Sequence, residues 1–304
     1  MIRILGTIFA GLFGLAFGSF LNVCLSRWPA GESMVKPRSH CRQCDRTLTW
    51  WENVPLVSWL ALRGRCRTCR AWIGWRYPLV ELAVGALWGT AAWRFPTDVF
   101  GQDLPRVALY DSLLTAIGLM VFYWLLVALA VLDAENLWLP NWLTLPGTAA
   151  GFVFSVFGFI VAVELDSITY SPLHHNFQYL RGEQWEVAWS RLLAVFAAAG
   201  VILLIRWLYW LIRRREGIGL GDAKLMALFA AWLGLPGALL AFVVGVVMGA
   251  LFALAQLAIP AARNQSERWA MSKLPLGTFL CIGGIVSSLW GQSILAAYRR
   301  WAGF

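Results

Sequence analysis

Charge-free apolar runs of membrane-spanning length recur along the chain, and they constrain its fold more than any other feature. The first, Ile4 to Ser26, holds 23 consecutive residues with no Asp, Glu, Lys, Arg or His, and the longest, Leu225 to Ala262, holds 38. A helix of roughly 20 such residues crosses a hydrocarbon core about 30 Å thick, and a backbone without access to water must satisfy its own hydrogen bonds there. Only 13% of the residues are charged and the mean hydropathy is +0.65. Soluble domains carry about a quarter charged residues, so a soluble globular fold is excluded. Disorder, collagen-like repeats and a disulfide-stapled secreted mini-protein are excluded with it. The expected fold is an all-α polytopic membrane protein of about eight transmembrane helices.

Spans are expected at Ile4–Ser26, Tyr77–Trp93, Ser112–Leu132, Trp142–Val163, Leu192–Ile212, two within Leu225–Ala262, and Leu274–Ala297. The 38-residue run is split because Gly234, Pro236 and Gly237 interrupt it, leaving its first member short. The first run is too long, and too poorly followed by a cleavage site, for a signal peptide, so it reads as a retained helix. Between Arg27 and Arg76 the chain turns polar, with ten basic residues against Glu32, Asp45 and Glu52. Positive loops stay inside, which places this segment in the cytoplasm and the amino terminus outside. Alternation then puts 133–141 and 213–224 inside and 164–191 outside. Arg263, Arg268 and Lys273 form a further inner loop, while Arg299 and Arg300 fall outside against the rule. The net charge of +9 follows this topology, and no nucleic-acid partner is expected because the basic residues form no single stripe. No internal repeat is apparent. Two regions are expected, 1–110 with the polar loop 27–76, and 111–304 as a six-helix core.

The inner loop carries Cys41, Cys44, Cys66 and Cys69, two CxxC pairs separated by 21 residues. That spacing, one residue beyond the usual range, points to a structural zinc-ribbon-like site of four thiolates, and a cytoplasmic position keeps them reduced. Redox-active or merely packed thiols are the alternative. His40 is read as solvated, and Cys24 and Cys281 as small buried hydrophobes.

Acids at membrane edges are costly and point to function. Asp133 closes the third span in Leu132-Asp133-Ala134-Glu135, and Asp222 opens the sixth in Gly217-Ile218-Gly219-Leu220-Gly221-Asp222-Ala223-Lys224. The topology puts both at the cytoplasmic face. Two aspartates in contact share a proton, so that one activates water while the other protonates a carbonyl, the chemistry of an aspartic peptidase. Gly219 and Gly221 are expected to leave the backbone open to an extended substrate strand. The alternative role for Asp222 is to cap its helix. Lys224 is read as a cytoplasmic anchor, Glu135 as tuning Asp133 or solvated, and His174 and His175 as surface residues. Glu81, inside the second span, is expected to pair with a loop arginine or to line a polar cofactor pocket.

Taken in order, these motifs resemble the type IV prepilin peptidases, the bifunctional leader peptidase and N-methyltransferase family of GxGD-type membrane proteases. The resemblance spans Gly18-Ser19-Phe20-Leu21-Asn22-Val23, the cysteine loop with Glu52-Asn53-Val54-Pro55, Trp75-Arg76-Tyr77-Pro78-Leu79-Val80-Glu81, Asp133 with Leu139-Pro140, Gly219 to Lys224, and Pro275-Leu276-Gly277. It implies that Asp133 and Asp222 are the catalytic pair. It also implies a bacterial inner-membrane enzyme that cuts the leader of prepilins or type II secretion pseudopilins at the cytoplasmic face. The new amino terminus is then methylated from S-adenosylmethionine, a site placed around Arg76, Tyr77 and Glu81. Asn141 and Glu135 depart from the family pattern, where aspartates are common. Relatives lacking the cysteines imply that zinc supports the loop and takes no part in hydrolysis. A peptidase without methyl transfer, or a non-catalytic zinc-loop scaffold, are the other readings.

Overall fold

The structure, a computed structural model, describes residues 1–95, 106–169, 177–215, 219–258 and 274–303. Gly217, His174, His175 and the expected basic loop of Arg263, Arg268 and Lys273 lie outside the described residues. Among the described residues there are eight α-helices: α1 Ile2–Arg27, α2 Val57–Ala61, α3 Arg76–Trp93, α4 Arg106–Asn136, α5 Asn141–Thr169, α6 Phe177–Arg213, α7 Leu220–Ala258 and α8 Leu276–Ala302. A 3-10 turn covers Trp50–Asn53, and the only described β-pairing is two isolated bridges in the cysteine loop.

Five of these helices, α1, α4, α6, α7 and α8, are long and apolar enough to cross a bilayer, and the chain is a multi-pass membrane protein. Large apolar side chains such as Phe9, Leu193 and Phe196 stay exposed on them, as expected where the surrounding solvent is lipid. Helix ends depart from expectation. α4 continues past Leu132 to Asn136, so Asp133 and Glu135 are helical, and the loop to α5 shrinks to Leu137–Pro140. α6 begins at Phe177, so much of the segment expected as an outer loop is helix.

The helices gather into two compact units. The first holds α1, the cysteine loop, α2, α3 and Thr115–Ala128 of α4. Within it α1 and α3 cross at their glycines. A Cβ on Gly18 would stand 2.7 Å from the Glu81 Cα, a spacing no side chain tolerates, so the two backbones touch. Such close approach replaces the hydrophobic drive that helices lack in lipid. Trp88 of α3 ties that helix to α4 by donating from Nε1 to the Met120 carbonyl at 2.9 Å.

The second unit holds the rest of α4 with α5 to α8. α7 is broken at Gly234, whose φ of 73° and ψ of 174° no helix contains. Its first limb, 220–233, is about 21 Å long at 1.5 Å per residue. Beyond the break Gly237 accepts from Ser287 Oγ at 2.8 Å, and a Cβ on Gly283 would meet the Ala241 carbonyl oxygen at 2.1 Å. Farther on, Phe252 meets Phe279 with ring centroids 5.3 Å apart. The partners on α8 thus run back toward its first turn as α7 advances, so the second limb doubles back along α8. The interruption read from Gly234 and Pro236 is a reversal inside one apolar run.

Candidate active site and cysteine loop

Asp133 sits one turn before the end of α4, buried at 6% exposure. The chain leaves the helix through Leu137, at a φ of 50°, and Leu139 then inserts between two other elements. A Cβ on Gly221 of α7 would meet Leu139 Cδ1 at 3.0 Å, and one on Gly277 of α8 would meet it at 3.1 Å. The two glycines thereby let the start of α7 and the start of α8 close on the same leucine, beside Asp133. Asp222, 8% exposed, is the third residue of α7, and its Oδ2 accepts the Gly219 N–H at 3.3 Å. This is a reach-back to the helix start, so the capping contact exists without Asp222 being the cap residue.

The Asp222 and Asp133 carboxylates lie close enough to interact electrostatically, and Cys281 of α8 is buried within the same range of both. The structure therefore brings the two expected acids together. Gly219 is exposed beside the pair, whereas the space at Gly221 is filled by Leu139, which corrects the expectation of an open backbone there. Lys224 reaches away from Asp222 and donates to Asn141 Oδ1, the side chain that stands where relatives are expected to have an aspartate.

In the first unit the four cysteine sulfurs lie within 4.8 Å of one another, and Cys41 Sγ and Cys69 Sγ are 3.7 Å apart. Four sulfurs at about 2.3 Å from a tetrahedral zinc stand about 3.8 Å apart, so this donor set fits the metal. The two halves have the same local build. Cys41 N–H donates to the Arg46 carbonyl and Asp45 N–H to the Cys41 carbonyl; Cys66 N–H donates to Ala71 and Arg70 N–H to Cys66. Asp45 and Arg70 both take positive φ, and each half is closed by an isolated bridge, His40 with Thr47 and Arg65 with Trp72. This is a local repeat that inspection of the sequence alone does not register. Backbone N–H groups of Cys69 and Thr68 lower the Cys66 thiol, which favours on this sulfur the charged form that a metal binds, while the neighbouring Cys69 is raised. Arg46 also pairs with Glu52, whose other oxygen accepts from Thr49 N–H at 2.8 Å and Thr49 Oγ1 at 2.7 Å.

Residues 12–95 match the Bacterial Peptidase A24 N-terminal domain, and residues 120–254 match the Type IV leader peptidase family. A protein of Stutzerimonas stutzeri named prepilin leader peptidase/N-methyltransferase is 31% identical over 96% of this chain and 93% of its own length. The chain belongs to the type IV leader peptidase family. Proteins of the same name from Pseudomonas aeruginosa (31% identical, 96% of this chain and 93% of the relative) and Burkholderia pseudomallei (34%, 93% and 85%) agree. No solved structure matches the chain.

In this leader peptidase the three residues expected at a methyl-donor site have protein partners. Arg76 lies over the Tyr77 ring at 4.8 Å, and the Tyr77 carbonyl accepts from Asn22 Nδ2 at 2.9 Å. Among the described residues Glu81 meets no arginine: its Oε2 accepts the N–H of Leu56, at 2.8 Å, where the loop backbone takes a φ of 57°. The Tyr77 carbonyl thus joins α3 to α1, and Glu81 ties the loop to α3. Sequence reasoning also missed Thr278, which contacts Asp133 twice. A hydroxyl directly after Pro275-Leu276-Gly277, at the start of a helix, was the available signal.

Proposed function

We propose that this chain removes the short basic leader of prepilins or pseudopilins and N-methylates the amino terminus so formed; its relatives are named prepilin leader peptidase/N-methyltransferase. The observation that carries the reading is the meeting of two buried aspartates, Asp133 and Asp222, at the adjoining ends of three membrane helices. Side by side they hold one proton between them. One carboxylate takes a proton from water as the water oxygen attacks the scissile carbonyl; the other gives its proton to the carbonyl oxygen. Gly219, exposed next to Asp222, is the place where a substrate strand can run its backbone alongside.

The localisation follows from charge. The ten basic residues of the loop 27–76 favour the cytoplasmic side of a bacterial inner membrane, about eight spans make up the fold, and the aspartates open to that face. Zinc held by Cys41, Cys44, Cys66 and Cys69 would act as a structural staple, supplying folding free energy to the loop and no hydrolytic step. S-adenosylmethionine supplies the methyl group. The first unit is the region we assign to that reaction, around Arg76, Tyr77 and Glu81.

The test is mass spectrometry of a prepilin amino-terminal peptide incubated with the purified enzyme. Wild type is expected to release the leader and, only with S-adenosylmethionine present, to add one methyl group to the product. Asp133→Asn and Asp222→Asn are each expected to abolish cleavage, since an amide is neither base nor acid. Asp222→Asn is still expected to methylate a pre-cleaved peptide. Normal cleavage by either variant refutes the pair, and a product that never gains a methyl group refutes the second activity.

A further inference from the structure

We infer that Thr278 is a positioning residue that divides labour within the aspartate pair, holding Asp133 as the base toward water and leaving Asp222 as the acid. This rests on the reading of Asp133 and Asp222 as the catalytic pair. Two donors of one residue converge on one oxygen. Thr278 N–H reaches Asp133 Oδ2 at 2.7 Å and Thr278 Oγ1 reaches it at 3.2 Å. Gly277 makes this possible, because a Cβ there would stand 2.9 Å from both Oδ2 and Cγ of Asp133. The first turn of α8 is thereby pressed against the carboxylate, and the Thr278 N–H, which also reaches the Pro275 carbonyl at 3.2 Å, makes its shorter bond to Asp133.

Hydrogen bonds to an ionised acceptor are the strong ones, and a helix start favours negative charge. Asp222 has the poorer share, a single Gly219 N–H at 3.3 Å. The pair's one negative charge is therefore better placed on Asp133 and its one proton on Asp222. Both Thr278 contacts end on Oδ2, the Gly277 N–H adds a further donor to the carboxylate, and Oδ1 is the oxygen assigned to the water.

The hydroxyl of Thr278 has a second acceptor, the Ala130 carbonyl at 2.9 Å, one turn back along α4. One hydroxyl proton thus serves two oxygens. It points to Oδ2 while Asp133 is charged and swings to Ala130 once Asp133 has taken a proton, so the support follows the charge through the cycle. In the forward step a water proton passes to Asp133 Oδ1 as the water oxygen bonds to the carbonyl carbon, and Asp222 protonates the carbonyl oxygen. On collapse the C–N bond breaks. Asp133 returns its proton to the leaving nitrogen, and a hydroxyl of the diol gives its proton back to Asp222, restoring the starting state.

The experiment compares Thr278→Val, Thr278→Ala and Thr278→Ser in the full-length enzyme, with a synthetic prepilin peptide and separate kcat and KM. Valine and alanine keep the backbone N–H and lose the hydroxyl, and are expected to lower kcat roughly 10- to 100-fold with KM held within about threefold. Serine restores the donor and is expected to bring kcat back to within about fivefold of wild type. A wild-type kcat in Thr278→Val or Thr278→Ala overturns the assignment, as does a serine variant that falls as far as valine. Should the valine variant not accumulate, the alanine and serine pair decides. Asp133→Asn and Asp222→Asn are run alongside. If these are inactive while Thr278→Val and Thr278→Ala turn over normally, only the role of Thr278 falls; if either turns over normally, the pair itself falls and this inference with it.

Discussion

Glu52 shows how a single side chain is held at a charge state in the cysteine loop. Its side chain is 1% exposed, yet Arg46 donates to one oxygen and Thr49 to the other, and the carboxyl sits at about 2 chiefly because of the Arg46 hydrogen bond. A depressed folded pKa means stabilisation that is complete above the ordinary glutamate value of about 4.3 and is lost only as the pH falls through about 2. Loosening of the loop between pH 7 and 4.5 therefore does not come from Glu52. In an acid titration of bound zinc, Glu52→Gln is expected to shift the release curve to higher pH without changing its steepness above pH 4.5. A changed steepness there contradicts this account. Glu81 is the second residue of this kind. Glu81→Leu leaves the Leu56 N–H with no acceptor and is expected to cost about 1–3 kcal/mol, whereas Glu81→Gln retains a carbonyl and loses less. Thermal unfolding in detergent separates the two. Neither role was legible beforehand. The sequence places Glu81 in an apolar run and so flags it, but a partner supplied by the backbone of a loop 25 residues away leaves no mark in residue type.

At the scale of elements, what could be read and what could not divide along a physical line. Apolar runs announce helices because lipid leaves the backbone no other choice, and the break in α7 was visible in Gly234 and Pro236. Helix ends were not visible, because polar residues continue a helix as readily as they leave it; α4 carries Asp133 and Glu135 past the apolar edge for this reason. Close crossings were equally hidden. Glycine is frequent throughout these helices, and only the coordinates single out Gly283, where an added methyl would overlap the Ala241 carbonyl and stand 2.9 Å from the Gly245 nitrogen. Both obstacles are backbone, which cannot swing aside. Gly283→Ala is therefore expected to pry α8 from the second limb of α7 and to sharply reduce folded enzyme in the membrane. Gly6, with nothing within 4 Å of the added atom, is the control and should accept alanine without loss. Equal accumulation of the two variants would show that the α7–α8 crossing is looser than described.

Across the whole molecule the acids and the cysteines fall in different compact units, and the two units have different sources of stability. The Asp133 and Asp222 pair was legible from two carboxylates at membrane edges, and the cysteine site from the spacing of its thiols. Neither reading revealed what else holds the loop around the cysteines: Arg27 donates to the Ser33 and Pro37 carbonyls, Arg42 to the Ser26 carbonyl, and Glu81 accepts from Leu56. Its apolar contacts are concentrated in Trp59, Trp72 and Trp75, whose ring centroids lie 4.5 to 5.9 Å apart. The helices flanking it draw on the bilayer, which the loop cannot do. A polar segment of this size buries too little to fold unaided, and small folds of that kind depend on a metal or a disulfide. One zinc per chain is therefore expected in enzyme prepared without chelator, and none in Cys41→Ser or Cys66→Ser, because two remaining ligands cannot complete the tetrahedron. Once zinc is stripped, trypsin should cut first within the run Arg63, Arg65, Arg67 and Arg70, while the fragment that contains Asp133, Asp222 and α8 stays intact. Zinc readdition before protease should restore protection to wild type and not to the serine variants. If the stripped loop resists trypsin as well as the loaded one, the cysteines are packed thiols and the tryptophans alone carry the fold.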